Sequence, residues 1–215
     1  MAGQRAALAA AQDAIWGRDP VLDALVEQHG LARLPSPAPS SKRFESLAES
    51  IAYQQLNGRA AATIWGRVVS AVDGEVSPVA VLAAGQERLR ACGLSGAKTA
   101  SLLDLAARAI RGELPLNRIG RLDDDAVIAT LIPVRGIGRW TAQMFLMFTL
   151  GRLDVWPAGD YGVRNGYALA WGLGGHPTER QMPELGDRFA GGRSLVAWYC
   201  WRAADTANQQ SAGRT

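Results

Sequence analysis

The chain has 215 residues and a mass of 22.9 kDa, which suits one compact domain or two closely packed lobes. Hydrophobic residues make up 48% of the sequence and charged residues 20%, so a large core can be buried and a wholly disordered chain is excluded. The net charge of +3 fits an anionic partner but does not identify one, because arginine supplies almost all of the positive charge, a bias typical of GC-rich genomes.

Several classes of protein are disfavoured by composition. No apolar run approaches the roughly 18 residues of a membrane span, and the first residues lack the apolar block of a signal peptide. We therefore expect a soluble, cytoplasmic protein that does not engage membranes. The two cysteines, Cys92 and Cys200, are far apart and form neither a zinc motif nor a four-cysteine cluster motif. With only two histidines, acid–base chemistry falls to carboxylates.

Helical periodicity dominates the chain. Alanine and leucine are frequent, apolar residues recur at steps of three and four, and no alternating strand pattern appears, which predicts an all-α fold. Asp19 and Pro20 form a typical helix start, whereas residues 35–41 have the composition of a linker. The tail from Ala207 is expected to fray. The predicted helices cover residues 21–29, 44–55, 59–72, 77–92, 97–111, 123–131, 139–150, 160 onward, 178–189 and 194–206.

Two glycines, Gly136 and Gly138, interrupt the helical pattern between residues 131 and 139. Glycine permits a tight turn and lets the backbone approach a ligand closely. The N–H groups of residues 136–139 would then point outward at the start of a helix, where anions bind. We expect Ile137 to anchor this turn in the core and Arg139 to add charge beside a phosphate. A turn whose glycines serve packing alone explains the same pattern.

The segment Gly136-Ile137-Gly138, followed by Thr141, resembles the helix-hairpin-helix of the HhH-GPD superfamily of DNA glycosylases. That family follows its hairpin with a Gly/Pro-rich loop and an essential aspartate, here residues 154–159 and Asp160. Residues 51–56 resemble the helix end that carries the family's DNA-intercalating residue. Residues 193–202 resemble the C-terminal helix of the 3-methyladenine DNA glycosylase II (AlkA-type) branch. These four motifs occur in the family's order and span nearly the whole chain.

The resemblance implies an all-α, two-lobed helix-hairpin-helix fold without an N-terminal β-domain. Residues 44–136 would form the central helical barrel. Residues 1–43 would form an N-terminal helical segment that packs with a C-terminal lobe of residues 137–215, which begins with the second hairpin helix. DNA would lie in the cleft between the lobes. The expected protein is a monomer that acts on double-stranded DNA with alkylated bases in the bacterial nucleoid.

Asp160 is the catalytic residue that the resemblance implies. Its position at a helix start allows N-cap hydrogen bonds, which together with the helix dipole favour the ionised carboxylate. A fixed carboxylate stabilises the oxocarbenium character of the sugar as the base leaves, and it can also orient the attacking water. The sequence does not distinguish these two roles. A helix-capping role alone is the competing interpretation.

The substrate pocket is expected to contain several aromatic residues. Trp140 occupies the position at which bifunctional relatives carry a lysine nucleophile, so we expect no Schiff-base chemistry. Its indole would attract purines that alkylation has made cationic. By resemblance, Trp198 is the second stacking residue, and Met144, Tyr53 and Trp156 border the pocket. Core packing is the alternative for each tryptophan.

The resemblance also implies the DNA contacts. Gln55, with Leu56 beside it, matches the wedge that fills the space left by an extruded base, although a capping or buried role explains Gln54 and Gln55 equally. The hairpin residues 136–139 and Thr141 would bind the DNA backbone. The main-chain carbonyls of Ile132, Val134 and Ile137 would bind Na⁺ or K⁺. No other cofactor is expected, and no iron–sulfur cluster.

These features predict a monofunctional glycosylase that flips out alkylated purines and hydrolyses the N-glycosidic bond in base excision repair. Three segments depart from the family pattern: Arg135 replaces a usual proline, Gly159 replaces a second acid, and residues 189–192 replace a more aromatic, proline-containing segment. The alternatives are a non-catalytic helix-hairpin-helix module that binds DNA or recognises damage, and a glycosylase for oxidised or mismatched bases. The sequence leaves the preferred alkylated base open.

Overall fold

The computed structural model describes the backbone of residues 2–212 and the side chains of residues 6–209. Every regular element in that range is helical, which confirms the predicted all-α fold. None of the helices described is long and apolar enough to cross a membrane. The α-helices are α1 (Ala2–Ile15), α2 (Pro20–His29), α3 (Arg43–Tyr53), α4 (Gly58–Ala71), α5 (Pro78–Ala91), α6 (Gly96–Ile110), α7 (Asp124–Leu131), α8 (Arg139–Met144), α9 (Tyr161–Ala170), α10 (Met182–Asp187) and α11 (Arg193–Ala212).

Side-chain caps explain why most predicted helices start within a residue or two of the expected place. Asp19 accepts hydrogen bonds from the N–H groups of Val21 at 2.9 Å and Leu22 at 3.2 Å, with Pro20 in the first turn of α2. Such bonds satisfy donors that a helix start otherwise leaves without a partner. The same kind of cap begins five other helices, at Asn57, Ser77, Ser95, Asp123 and Asp160.

Four elements differ from prediction. The alanine-rich α1 was not among the predicted helices, although alanine has the highest helix propensity. The predicted helix over 139–150 becomes α8 followed by a π-helical turn, Phe145–Thr149. The predicted helix over 178–189 shortens to α10, because Thr178 forms a capped turn with Gln181 instead. The predicted last helix, 194–206, extends further, because α11 continues to Ala212.

The chain forms two compact units. One, here called the hairpin unit, is Ala38–Phe145; the other, the aspartate unit, combines the residues up to Pro37 with those from Leu146 onward. The predicted boundary after residue 136 therefore differs from the observed one after Phe145. The second hairpin helix, α8, belongs to the hairpin unit because it packs against α7.

The hairpin unit has its core between α3, α4, α5 and α6. The closest pairs are α5 with α6 and α3 with α4 and α6. The helices meet through aliphatic side chains spaced three or four residues apart, the pattern of an amphipathic helix. Fully buried members include Leu47, Ile51, Val68, Val81, Leu89, Leu102 and Leu105. This core fixes the end of α3 and the hairpin that precedes α8.

The aspartate unit is built on the contact between α9 and α11. Tyr199 on α11 ties the N-terminal segment to this pair: its hydroxyl accepts from Gln12 Nε2 and from the Ala32 N–H, both at 3.0 Å. The same hydroxyl donates to the Gly30 carbonyl at 3.0 Å. The N-terminal helices thus pack with the C-terminal ones within one unit.

Gly166 sets how closely α9 approaches α11. A Cβ atom at this position would overlap the backbone carbonyl of Cys200. Gly166→Ala is therefore expected to lower the free energy of unfolding by about 3 kcal/mol, because the two helices must separate around the added methyl group. Urea denaturation of this variant measures the loss. The control is Gly174→Ala, where an added Cβ meets nothing within 4 Å. Equal stability of the two variants would contradict the assigned packing role.

Candidate functional site: a hairpin, a wedge loop and a capped aspartate

The hairpin of residues 132–138 joins α7 to α8. Gly136 has a φ of +78°, a left-handed conformation that favours glycine. A Cβ atom there would also lie 2.6 Å from Ser101 Oγ on α6, so packing requires the glycine too. Ile137 is buried, which confirms that it anchors the hairpin in the core. The hairpin therefore rests on α6 in a fixed position.

Several N–H groups of the hairpin have partners within the protein. The Arg135 N–H donates to Asp104 Oδ2 at 2.8 Å, and the Ile137 N–H donates to the Val134 carbonyl at 3.0 Å. Burial by itself would raise the pKa of Asp104, but the Arg135 N–H and the Arg108 guanidinium hold that pKa below its ordinary value. The Ile137 N–H is therefore occupied within the hairpin.

The start of α8 remains the part of the hairpin suited to an anion. Gly138 has φ −96° and ψ 177° in the N-cap position and has no side chain to cap the helix. Arg139, the next residue, is exposed to solvent. Backbone N–H groups at an uncapped helix start, next to a guanidinium, suit a phosphate oxygen.

A tight loop, residues 54–57, follows α3; we call it the wedge loop. Gln55 is exposed and has a φ of +56°, which costs about 1 kcal/mol or more in a residue other than glycine. The Leu56 N–H donates to the Tyr53 carbonyl at 3.3 Å, and Asn57 caps α4 through the Ala60 N–H at 2.9 Å. The loop thus presents Gln55 and Leu56 to solvent on a constrained backbone.

A pocket of about 540 Å³ opens beside the wedge loop within the hairpin unit. The side chain of Trp140 is 47% exposed, so a planar ligand can reach its ring. Thr141 is buried, and its hydroxyl accepts a hydrogen bond from Gln54 Nε2 at 3.4 Å, so this residue lines the pocket instead of facing solvent. The pocket unites several predicted residues; its lining is Ser50, Tyr53, Gln54, Gln55, Leu56, Trp140, Thr141 and Met144.

Asp160 lies in the aspartate unit, where it caps α9. Its Oδ1 atom accepts the Val163 N–H at 2.8 Å and the indole N–H of Trp201 at 3.0 Å. The residue is 8% exposed, so its carboxylate is held in one orientation and is only partly hydrated. Two N–H donors thus hold the carboxylate in place.

The indole beside Asp160 belongs to Trp201, not to Trp198. Gly162 permits this contact, because a Cβ there would lie 2.8 Å from Trp201 Cδ1. The Trp198 ring instead meets Tyr199 edge-on at 5.0 Å and lies under the Arg202 guanidinium at 5.4 Å. The indole that contacts Asp160 is therefore not that of the tryptophan expected to stack on the base. Both tryptophans lie on α11, and the sequence alone did not separate two positions three residues apart.

Phe148 is a second aromatic residue near the aspartate that sequence reasoning missed. Its ring stacks on Trp201 with a centroid distance of 5.8 Å and an interplanar angle of 30°. It is 40% exposed, which leaves part of its face open to a ligand. Phe148 lies in the π-helical turn, and such turns are frequent at functional sites. Sequence periodicity predicted one continuous helix over 139–150 and gave no indication of the π-helical turn that contains Phe148.

Trp156 is a core residue, so its expected place at the pocket border is wrong. Its indole N–H donates to the Met182 carbonyl at 2.6 Å, and its ring meets Tyr167 edge-on at 6.3 Å. Gly186 packs so closely that an added Cβ would lie 2.6 Å from the indole nitrogen. The competing interpretation of core packing is correct for this tryptophan.

The loop before Asp160 is tied to the start of α11 by a carboxylate–guanidinium pair. Asp154 binds Arg193 through Nε at 2.8 Å and through a terminal nitrogen at 2.7 Å, and it also accepts the Gly191 N–H at 2.9 Å. Burial alone would raise the pKa of Asp154, but Arg193 and the N–H donors lower it overall. Asp154 lies in the loop that precedes Asp160, and Arg193 begins α11, the helix that carries Trp201. The ion pair between them therefore helps to place Asp160 beside Trp201.

Other chemistry-bearing groups near the aspartate are few. Burial raises the pKa of the Cys200 thiol, and the nearby Asp160 carboxylate raises it further, so this cysteine stays a protonated core residue. Across the side chains that the structure describes, no three His, Cys, Asp or Glu residues lie together as metal ligands.

Comparison with known proteins finds similar chains and similar folds. The chain is 36% identical over 168 residues to DNA-3-methyladenine glycosylase 1 of Schizosaccharomyces pombe, which covers 77% of this chain and 74% of that protein. A solved structure of an S. pombe 3-methyladenine DNA glycosylase in complex with abasic DNA superposes with a TM-score of 0.80 at 34% identity, covering 89% of this chain and 95% of that one. A DNA-3-methyladenine glycosidase from Bacillus halodurans gives a TM-score of 0.83 at 32% identity and coverages of 93% and 91%.

The family model that matches describes the HhH-GPD superfamily of base excision DNA repair proteins, and the match spans residues 48–190. That span contains the wedge loop, the hairpin, the π-helical turn and Asp160. On this match, the identity to its relatives and the shared fold, the chain belongs to the HhH-GPD superfamily of base excision DNA repair proteins.

Proposed function

We propose that this protein is a monofunctional DNA glycosylase that hydrolyses the N-glycosidic bond of alkylated, cationic purines in double-stranded DNA. The observation that carries the proposal is the Asp160 carboxylate, which receives hydrogen bonds from the Val163 N–H and the Trp201 indole next to the exposed ring of Phe148. Relatives named as DNA-3-methyladenine glycosylases support the choice of alkylated purines. No observation favours a non-catalytic module or a glycosylase for oxidised bases.

The reaction needs little beyond a fixed negative charge. Alkylation makes the purine a cation, so the base leaves as a neutral molecule and needs no proton donor. Positive charge then develops on the deoxyribose, and the oriented Asp160 carboxylate stabilises it electrostatically. Water completes the reaction at the anomeric carbon, giving a free base and an abasic site. Asp160 can also accept the proton of that water, so both expected roles remain part of the proposal.

Exposed aromatic rings provide selectivity for cationic bases. Trp140 in the hairpin unit, and Phe148 with Trp201 in the aspartate unit, each offer a π-face. A cation above such a face gains about 0.5–2 kcal/mol, depending on how far it is desolvated. An undamaged, neutral purine gains no such electrostatic contribution. The aromatic rings therefore favour alkylated purines over normal ones.

The hairpin unit would hold and distort the DNA. Gly136, Gly138 and Arg139 would contact the backbone phosphates, and Gln55 with Leu56 would occupy the space that the extruded base leaves. The carbonyls of Ile132, Val134 and Ile137 would hold Na⁺ or K⁺. The Val134 carbonyl already accepts the Ile137 N–H at 3.0 Å, and its second lone pair is compatible with a cation ligand. The cation would brace the hairpin and take no part in bond cleavage.

The two lysines of the chain support a reaction without strand cleavage. Lys42 pairs with Glu45 at 2.7 Å, and Lys98 donates to the Ala52 carbonyl at 2.8 Å. Trp140 stands at the hairpin position where a lysine nucleophile would be needed. Without an amine there, a covalent Schiff base with the sugar does not form.

Release of free bases from methylated DNA tests the proposal. Duplex DNA treated with a methylating agent is incubated with the protein, and the released bases are identified by chromatography. We expect 3-methyladenine or 7-methylguanine in the soluble fraction, with strands that break only after alkaline treatment. Undamaged DNA is the control and should release nothing. Binding of DNA without any released base would contradict the proposal, and strand cleavage before alkali would contradict its monofunctional part.

A further inference from the structure

Gln54 immediately precedes the exposed Gln55, and its side chain reaches the hairpin. Its Nε2 atom donates to the Gly136 carbonyl at 2.9 Å and to Thr141 Oγ1 at 3.4 Å. Gln54 and Gly136 are 82 residues apart in the chain. Gln54 thus links the wedge loop directly to the turn that would contact the DNA backbone, and to the first turn of α8.

The wedge loop has a backbone conformation that needs support from neighbouring contacts. Gln54 leaves α3 with φ −51° and ψ 133°, and Gln55 follows at φ +56°. A left-handed glutamine persists only where neighbouring contacts hold it. The Gln54 amide provides such contacts at the preceding residue. If they were lost, the loop could relax and Gln55 would no longer keep its present direction.

Helix α6 also contacts the end of α3, where the wedge loop begins. Lys98 Nζ donates to the carbonyl of Ala52, in the last turn of α3, at 2.8 Å. Burial lowers the pKa of Lys98. The same helix carries Ser101, which packs against Gly136, and Asp104, which binds the Arg135 N–H at 2.8 Å. Helix α6 therefore supports both the wedge loop and the hairpin, and Gln54 joins the two directly.

We infer that Gln54 is a positioning residue that couples the hairpin to the wedge loop. Binding of the DNA backbone by the hairpin and insertion of Gln55 into the base stack then occur as one step. The inference rests on the proposed function, in which Gln55 fills the space of an extruded base. The amide N–H groups of Gln54 are directed to Gly136 and Thr141, so they hold the hairpin and the wedge loop together. Its effect on DNA opening is transmitted through Gln55.

Gln54→Met tests the coupling because methionine keeps the length of the side chain and removes both N–H donors. The probe is a short duplex with a stable abasic analogue and a neighbouring 2-aminopurine, whose fluorescence rises when the base stack opens. Anisotropy of an end label reports binding separately. We expect Gln54→Met to bind the duplex but to lower the opening equilibrium about threefold to tenfold, as loss of a neutral hydrogen bond predicts. Gln86→Met, an exposed position on α5, is the control and should behave like the wild type.

The variant Gln55→Ala distinguishes an effect of Gln54 that acts through Gln55 from a general loss of protein stability. If Gln54 acts through Gln55, the variant Gln54→Met has little further effect on opening in the Gln55→Ala background. Additive losses in the double variant, or wild-type opening by Gln54→Met, would overturn the inference. Base release from methylated DNA is measured on the same proteins. A wild type that opens the duplex but releases no base would refute the proposed function and leave the coupling standing.

Discussion

Asp160→Asn is expected to lower the rate of base release by about a thousandfold or more while leaving duplex affinity nearly unchanged. The amide is neutral, so it cannot stabilise the positive charge that develops on the deoxyribose. It is also nearly isosteric and can still accept the Val163 N–H at the start of α9. Asparagine is about as good an N-cap as aspartate, so the helix should remain intact. Single-turnover release from methylated duplex measures the rate, and anisotropy measures the affinity.

The control for this variant is Asp187→Asn, an exposed aspartate at the end of α10. It removes the same charge from the chain but not from the neighbourhood of Trp201. Both variants should unfold at the denaturant concentration of the wild type. Full activity of Asp160→Asn would show that the carboxylate only caps α9. A loss shared equally by Asp187→Asn would point to the total charge of the protein instead.

Features that depend on neighbours in the chain could be predicted from the sequence. The glycines of the hairpin, the cap at Asp160 and the break after Gln55 each reflect a local conformational demand. Gly136 is left-handed and Asp160 accepts from the Val163 N–H, both as expected. Helix α3, which was expected to reach Gln55, ends two residues earlier at Tyr53. The family resemblance predicted the order of these motifs along the chain but not the contacts that each of them makes.

Features that depend on packing between distant segments could not be predicted. Trp156 and Trp201 are both aromatic residues near predicted motifs, yet one donates to Met182 in the core and the other to Asp160. Periodicity does not decide which indole turns toward the aspartate, because that depends on the close approach of α9 and α11 at Gly166. Phe148 was missed for a related reason, since a π-helical turn shifts its direction relative to a regular helix.

Trp201→Phe is expected to slow base release by about tenfold to a hundredfold. Phenylalanine keeps an aromatic ring in contact with Phe148 but removes the N–H that donates to Asp160 Oδ1 at 3.0 Å. A hydrogen bond to a charged acceptor contributes about 1.5–3 kcal/mol, which corresponds to this range of rates if its orienting effect is realised in the transition state. The rate is measured in single turnover with enzyme in excess, so that weaker DNA binding does not enter the result.

Trp198→Phe on the same helix is the matched control, because it makes the same substitution three residues earlier. Trp198 contacts Tyr199 and Arg202, so its variant should release base at a rate close to that of the wild type. Near-equal denaturation midpoints for the two variants would exclude a general loss of stability in α11. If Trp198→Phe were instead the slower enzyme, the stacking role would belong to Trp198 and the hydrogen bond between Trp201 and Asp160 would have no part in catalysis.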